Sequence, residues 1–275
     1  LSARRQPRRT ASPPASEQPP ERRREQPPER RRERRARPQA GGPVWLFDLD
    51  NTLHHASHAI FPAINRAMTQ YIIDTLKVER AHADHLRTHY TRRYGAALLG
   101  LARHHPIDPH DFLKVVHTFA DLPSMVRAER GLARLVAALP GRKIVLTNAP
   151  EAYARAVLRE LKIERLFERV IAIEQMRDRR AWRAKPDATM LRRAMRTAHA
   201  RLSDAILVED TRGHLKRYKR LGIRTVWITG HLPGHLPSYG RPHYVDRRIG
   251  SLKSLRLGTR SGRRKCSRLT RRTRQ

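Results

Sequence analysis

Short apolar runs, each closing on polar residues, recur along the middle of the chain: VWLFDLD (44–50), KIVLTN (143–148), RVIAIEQ (169–175), AILVED (205–210) and TVWIT (225–229), with YVDRRI (244–249) as a weaker edge candidate. Near-continuous apolarity within a run fits strands buried on both faces rather than half-exposed ones. Between the later runs, apolar residues recur at helical spacing in EAYARAVLREL, DATMLRRAMRTAHA and GHLKRYKRL. Strands alternating with helices predict an α/β fold, a doubly wound parallel sheet covered by helices on both faces.

One connection breaks this rhythm. More than ninety residues separate the first two runs, and most of them read as helix. Between Pro62 and Leu76, apolar side chains fall at Ile64, Met68, Tyr71, Ile72 and Leu76; Asp108-Pro109 reads as an N-cap followed by proline in the first helical position. A further helix, RGLARLVAAL (130–139), leads back to the sheet. The pattern predicts an all-helical cap over about 57–125, inserted into a catalytic core made of 43–56 and 126–258.

Charge changes the picture at the two ends. The formal net charge is +34, but residues 1–40 hold 13 Arg and 5 Glu, and residues 259–275 hold 8 Lys+Arg and no acid. The first segment carries QPPERRRE twice in tandem (18–25 and 26–33), and neither end has the apolar residues a core needs. Both are expected to be disordered, Arg-rich extensions able to bind polyanions unspecifically. The single cysteine, Cys266, lies in the second extension, which excludes a disulfide or a thiolate metal site in the folded part. No apolar run approaches the ~20 residues of a membrane span, so no membrane partner is expected and a cytoplasmic location is.

The polar endings of the strands carry the candidate chemistry. In an open parallel sheet, ligands bind beyond the carboxyl ends of the strands, where the strand order reverses. Asp48 and Asp50, Thr147 and Asn148, and Glu209 and Asp210 all end strand candidates, and Lys185 stands just before a helix. Strand alternation places Asp48 and Asp50 on one side of the chain, a pair of like charges that calls for a cation. Carboxylates with a lysine and a Thr-Asn turn match what Mg²⁺ and a phosphate jointly require: hard oxygen ligands for the ion, cationic and N–H donors for the phosphate oxygens. Asp48 could then attack phosphorus to give an aspartyl phosphate, with Asp50 protonating the leaving oxygen and later taking a proton from water.

The ordered set DLDNT, LTN, KP and VEDT resembles the four signature motifs of the haloacid dehalogenase superfamily of phosphohydrolases, over most of residues 44–230. The resemblance implies that Asp48 is the nucleophile, Asp50 the general acid/base, and that Thr147, the backbone of Asn148 and Lys185 hold the phosphoryl group. It further implies that Asp48, Asp210 and the Asp50 carbonyl ligate Mg²⁺, with Glu209 assisting. Dehalogenases of that superfamily lack the acid/base aspartate, so Asp50 favours phosphate-ester hydrolysis. HYTRRYGAALLGL (89–101) and HTFADLP (117–123) look like cap motifs of the pyrimidine 5′-nucleotidase-like subgroup, which implies a nucleoside monophosphate as substrate. In place of that subgroup's tyrosine after DNTL stand His54-His55, and His54, Arg93 and Tyr94 are the candidates for substrate contacts.

Two alternatives are kept. The substrate could be another small phosphate ester, a sugar phosphate or phosphoglycolate. The chain could instead be a nucleic-acid-binding protein acting through its basic ends; against this stands the low aromatic content, 5%. A histidine-held metal at His54, His55 and His58, or at His104-His105, lacks a supporting carboxylate pair at helical spacing.

Overall fold

The computed structural model describes residues 42–178, 181–232 and 240–255; the expectations placed on 1–40, on 259–275 and on Cys266 fall outside them. Among the described residues six strands form one parallel sheet: β1 (Val44–Phe47), β2 (Arg142–Leu146), β3 (Arg169–Ile171), β4 (Ala205–Glu209), β5 (Arg224–Ile228) and β6 (Arg247–Ile249). Their order is β3-β2-β1-β4-β5-β6, so the order reverses beside β1, between β1 and β4. Within β1, Trp45 and Phe47 face one hydrophobic layer and Val44 and Leu46 the other, and all four are buried. That two-sided burial is why the strands read as unbroken apolar runs.

Helices cover both faces. α1 (Ile60–Leu76), α2 (Arg80–Tyr94), α3 (Ala97–His104), α4 (Pro109–Val116) and the short α5 (Leu122–Met125) follow β1. Then come α6 (Leu132–Ala138), α7 (Glu151–Glu160), α8 (Ile173–Met176), α9 (Ala188–Thr197) and α10 (Arg212–Lys219). Met190, Leu191 and Met195 of α9 and Leu215 and Tyr218 of α10 pack on the Leu46 side of the sheet, while Val136 of α6 and Tyr153, Val157 and Leu158 of α7 pack on the Phe47 side. Burying such a side chain fully is worth roughly 1.5–3 kcal/mol, which makes the sheet faces the main source of stability. No described helix is long and apolar enough to cross a membrane.

The run RVIAIEQ departs from its expected strand. β3 stops at Ile171, and Ile173 begins α8, whose first turn is closed by Gln175 Oε1 accepting the Ala172 amide at 2.9 Å. A short apolar run does not distinguish a buried strand from a buried helical turn, and here the capping side chain decides. The edge run YVDRRI is likewise shorter: β6 begins at Arg247, because Asp246 and Tyr244 are tied by side-chain bonds instead. Thr225 Oγ1 donates to the Tyr244 carbonyl at 2.8 Å, and the Asp246 carboxylate accepts the Thr225 amide at 2.8 Å.

The long connection from β1 to β2 is helical, as its periodicity predicts. Asp108 caps α4 by accepting the His110 amide at 2.9 Å, ahead of Pro109 in the first helical position. α1 to α4 share a hydrophobic cluster built on Tyr71, Ile72, Leu86, Tyr90, Leu98, Leu101, Phe112 and Val116, and Ile173 and Ala184 complete it from outside the insertion. α3 lies close on α2 because Gly100 has no side chain: a methyl there would sit 2.2 Å from Tyr90 Cγ. Gly100→Ala is therefore expected to destabilise the protein by about 1–3 kcal/mol, read as a lower midpoint in urea unfolding. An unchanged midpoint would show that the two helices separate freely.

Candidate active site

The turn after β1 is set by its own polar residues. Asn51 adopts φ +60°, the left-handed region that asparagine tolerates better than most residues, and its side chain pairs with Ser57, accepting the amide at 2.9 Å and donating to Oγ at 2.8 Å. The chain leaves the sheet after Phe47, so alternation does not extend to 50 as the sequence suggested. The two aspartates accordingly have different partners. Asp48 Oδ1 accepts Lys185 Nζ at 2.5 Å and Oδ2 accepts Thr52 Oγ1 at 2.9 Å. Asp50 Oδ1 accepts Tyr153 Oη at 2.6 Å and pairs with His54 Nε2 at 2.9 Å.

The other strand ends converge on Asp48. From β4, Glu209 Oε2 accepts Lys185 Nζ at 2.9 Å and Oε1 accepts the Thr211 amide at 3.0 Å. Asp210 follows, accepting Thr211 Oγ1 at 2.9 Å, and its backbone carbonyl is held by Trp227 Nε1 of β5 at 2.9 Å. At the end of β2, Thr147 Oγ1 accepts the Ala149 amide at 3.0 Å. Asn148 uses its side chain to hold the Lys185 backbone, accepting the amide at 2.7 Å and donating to the carbonyl at 3.3 Å. That pairing fixes the loop that delivers Lys185, whose side chain is fully buried between Asp48 and Glu209.

The electrostatics of this group are unbalanced. Burial, reinforced by Glu209, pushes the Asp48 carboxyl up to about 6 even though Lys185 pulls it down. Asp210 is raised well above the usual carboxylate range by burial and by the charges of Glu209 and Asp48. For Glu209, burial raises the pKa, but Lys185 and His214 outweigh it and hold the group ionised. Lys185 stays protonated against its burial because Asp48 and Glu209 both favour the charged form. Asp50 is lowered: burial raises it, but the hydrogen bonds from His54 and Tyr153 prevail.

Three buried or half-buried carboxylates around one lysine fit a divalent cation. Asp48, Glu209 and Asp210 each offer an oxygen, and those oxygens lie within 4.8 Å of one another. An all-oxygen, anionic donor set suits Mg²⁺ rather than a soft metal. The Asp50 carboxylate is outside that group, directed to His54 and Tyr153.

A cavity of about 620 Å³ opens over these residues. Its floor is Asp48, Asp50, Thr147, Asn148, Lys185, Glu209 and Asp210; its opposite wall comes from α1, α2 and α4, with Phe61, Met68 and Phe112 as apolar surfaces and Arg87 and Arg92 as cations. Arg87 is held in place by donating to Thr69 Oγ1 at 3.1 Å, Asn65 Oδ1 at 3.0 Å and Asp84 Oδ1 at 3.1 Å. The substrate contacts expected from sequence are placed elsewhere. Arg93 is exposed and donates to Tyr94, Tyr94 pairs with His104 at 2.7 Å, and neither lines the cavity. His54 is wholly buried against Asp50 instead of facing a ligand.

Several residues of the site were not singled out from sequence. Tyr153 falls with Ala154, Val157 and Leu158 on the buried face of α7, so its spacing is that of a core residue. His117, in the HTFADLP segment, lines the cavity; burial lowers it to about 4, against the Leu113 carbonyl it bonds at 3.0 Å and the Asp50 charge. Thr52 sits inside the DLDNT motif, where the sequence points to the carboxylates alone, and it donates to Asp48 Oδ2.

A profile of the family described as haloacid dehalogenase-like hydrolase matches residues 45–228. Among solved structures, a haloacid dehalogenase phosphatase from Thermococcus onnurineus is similar over 78% of this chain and 96% of its own, at 16% identity and a TM-score of 0.54. CbbY from Rhodobacter sphaeroides, in complex with phosphate, is similar over 77% and 95% respectively, at 20% identity and a TM-score of 0.55. At these identities the likeness to the two structures is one of fold.

Proposed function

Because the chain belongs to the haloacid dehalogenase-like hydrolases, we propose that it is a Mg²⁺-dependent phosphomonoesterase with Asp48 as nucleophile and Asp50 as general acid/base. The observation that carries the reading is the position of Asp48: at the end of the central strand, on the cavity floor, bonded to Lys185 and within one ion's reach of Glu209 and Asp210. Asp48, Asp210 and Glu209 would hold Mg²⁺, with the Asp50 carbonyl as a further donor. When bound, the ion supplies positive charge that offsets repulsion between these carboxylates and an incoming phosphate dianion.

The chain's own residues account for the rest. Lys185 holds one oxygen of Asp48, orienting the carboxylate and neutralising part of the negative charge that would repel a phosphate. Thr147 and the backbone of Asn148, both in the cavity floor, donate to phosphoryl oxygens. Asp48 attacks phosphorus as the ester oxygen departs with a proton from Asp50, which must carry that proton at this step although His54 and Tyr153 favour its ionised form; Asp50 then takes a proton from the water that hydrolyses the aspartyl phosphate. The helices α1 to α4, read as a cap over about 57–125, enclose the leaving group and keep bulk water from it.

For the leaving group, the preferred reading is a nucleoside, with the base against the apolar wall at Phe61, Met68 and Phe112. A second reading has its own support: Arg87, fixed by three hydrogen bonds and facing the cavity beside Arg92, favours a leaving group with a distal acidic end, as in a sugar bisphosphate or phosphoglycolate.

The test is phosphate release by the full chain from UMP, CMP, phosphoglycolate and sugar phosphates, with Mg²⁺ or with EDTA. Release from UMP or CMP, lost in EDTA, is the expected result. Release confined to the acidic esters would replace the nucleotide assignment with the second reading, and metal-independent release would remove Mg²⁺ from the scheme.

A further inference from the structure

The two side chains that hold Asp50 meet on the same oxygen. Tyr153 Oη lies 2.6 Å from Asp50 Oδ1, and His54 Nε2 lies 2.9 Å from that same atom. A carboxylate oxygen offers two lone pairs in the plane of the group, and the Tyr153 hydroxyl together with His54 in its Nε2–H tautomer fills them. Any proton the carboxyl carries must then sit on Oδ2. Tyr153 and His54 come from different parts of the chain, α7 and the turn after β1, and neither is open to solvent. His54 is fully buried, and its second ring nitrogen, Nδ1, has no hydrogen-bond partner among the described residues. A buried ring with one bare nitrogen is costly, and its other nitrogen is directed at Asp50. Tyr153 is in turn packed by the rings of His117 and Phe119, at 5.4 and 5.7 Å between centroids.

We propose that Tyr153 and His54 are positioning residues for proton transfer by Asp50: they occupy Oδ1, so that Oδ2 gives and takes the proton. The inference rests on the phosphomonoesterase reading. In the first step the bond from Asp48 to phosphorus forms, the ester P–O bond breaks, and the proton on Asp50 Oδ2 passes to the departing oxygen. In the second, water oxygen bonds to phosphorus, the bond to Asp48 breaks, and Oδ2 takes the proton from that water. Without the two donors the carboxyl can rotate, and its proton is shared between both oxygens instead of being kept on Oδ2.

The experiment compares two esters that differ in their need for a proton. Propyl phosphate must release an alkoxide, which departs only when protonated; p-nitrophenyl phosphate releases a stable phenolate without help. The quantity read is the ratio of kcat/KM for the two, which reports formation of the aspartyl phosphate alone. Tyr153→Phe, which keeps the ring, is expected to lower the ratio of propyl to p-nitrophenyl ester by about 10- to 100-fold. His54→Phe should do the same, and His54→Gln, whose amide can reach Asp50 as a donor, should restore part of it. An unchanged ratio in Tyr153→Phe, whether both esters fall equally or neither falls, would mean that the tyrosine at most supports the fold and would overturn the proposal. No release from either ester by the unaltered protein with Mg²⁺ would overturn the phosphomonoesterase reading itself, and the positioning role with it.

Discussion

Asp48→Asn is expected to keep the fold and lose turnover by roughly four to six orders of magnitude, because the amide cannot attack phosphorus. The exchange is nearly isosteric, and the amide oxygen can still accept Lys185 Nζ, which Glu209 also holds. The variant also has a stability signature. The folded-state pKa of Asp48, about 6, lies above the ordinary 3.8, so ionising this carboxyl works against the folded state. The cost is absent below the lower value, grows through the interval and is complete above the upper one. Asparagine carries no charge at any of these pH values. In EDTA, Asp48→Asn should therefore gain stability over the parent as pH rises from about 4 to about 6, levelling off at roughly 3 kcal/mol or less. Urea unfolding of both proteins at several pH values measures the difference, and a difference independent of pH would contradict the crowding of negative charge at this site.

The second large effect is expected at Lys185. Lys185→Met preserves most of the side-chain volume but leaves Asp48 and Glu209 facing each other without the cation between them. Removing one partner of a buried ionic group costs about 3–5 kcal/mol, and the unfolding midpoint should fall accordingly. Millimolar Mg²⁺ should recover part of that loss, since it brings positive charge to the same carboxylates. A midpoint equal to that of the parent would show that water, rather than Lys185, compensates these groups. A loss that Mg²⁺ leaves untouched would separate the lysine's role from the metal's.

How much of this was legible in the sequence depended on how local each feature is. The strand ends were readable because Asp48, Thr147 and Asp210 each interrupt an apolar run, and the order of those interruptions carries the family likeness. Asp108-Pro109 announced α4 because capping is decided within four residues. RVIAIEQ misled because the choice between strand and helix was made by one side chain, Gln175, bonding back to Ala172. Tyr153 and Arg87 were hidden for a different reason: each lies on a helix face whose spacing looks structural, and only the meeting of distant segments turns that face toward the site. The expectation for Arg93 and Tyr94 shows the same limit, since α2 presents Arg87 and Arg92 to the cavity, while Tyr94 pairs with His104 and Arg93 donates to Tyr94.

The hydrophobic cluster of α1 to α4 is completed by Ile173 and Ala184, which belong to segments following β3. This sets the unit that can be exchanged between relatives. A chimera that transplants only the stretch between β1 and β2 would carry its apolar surface onto foreign residues at those two positions, leaving a mismatch at the seam. Recombination that preserves specificity should therefore move the insertion together with the two later positions, so that the heritable module is discontinuous in the gene although it is contiguous in space.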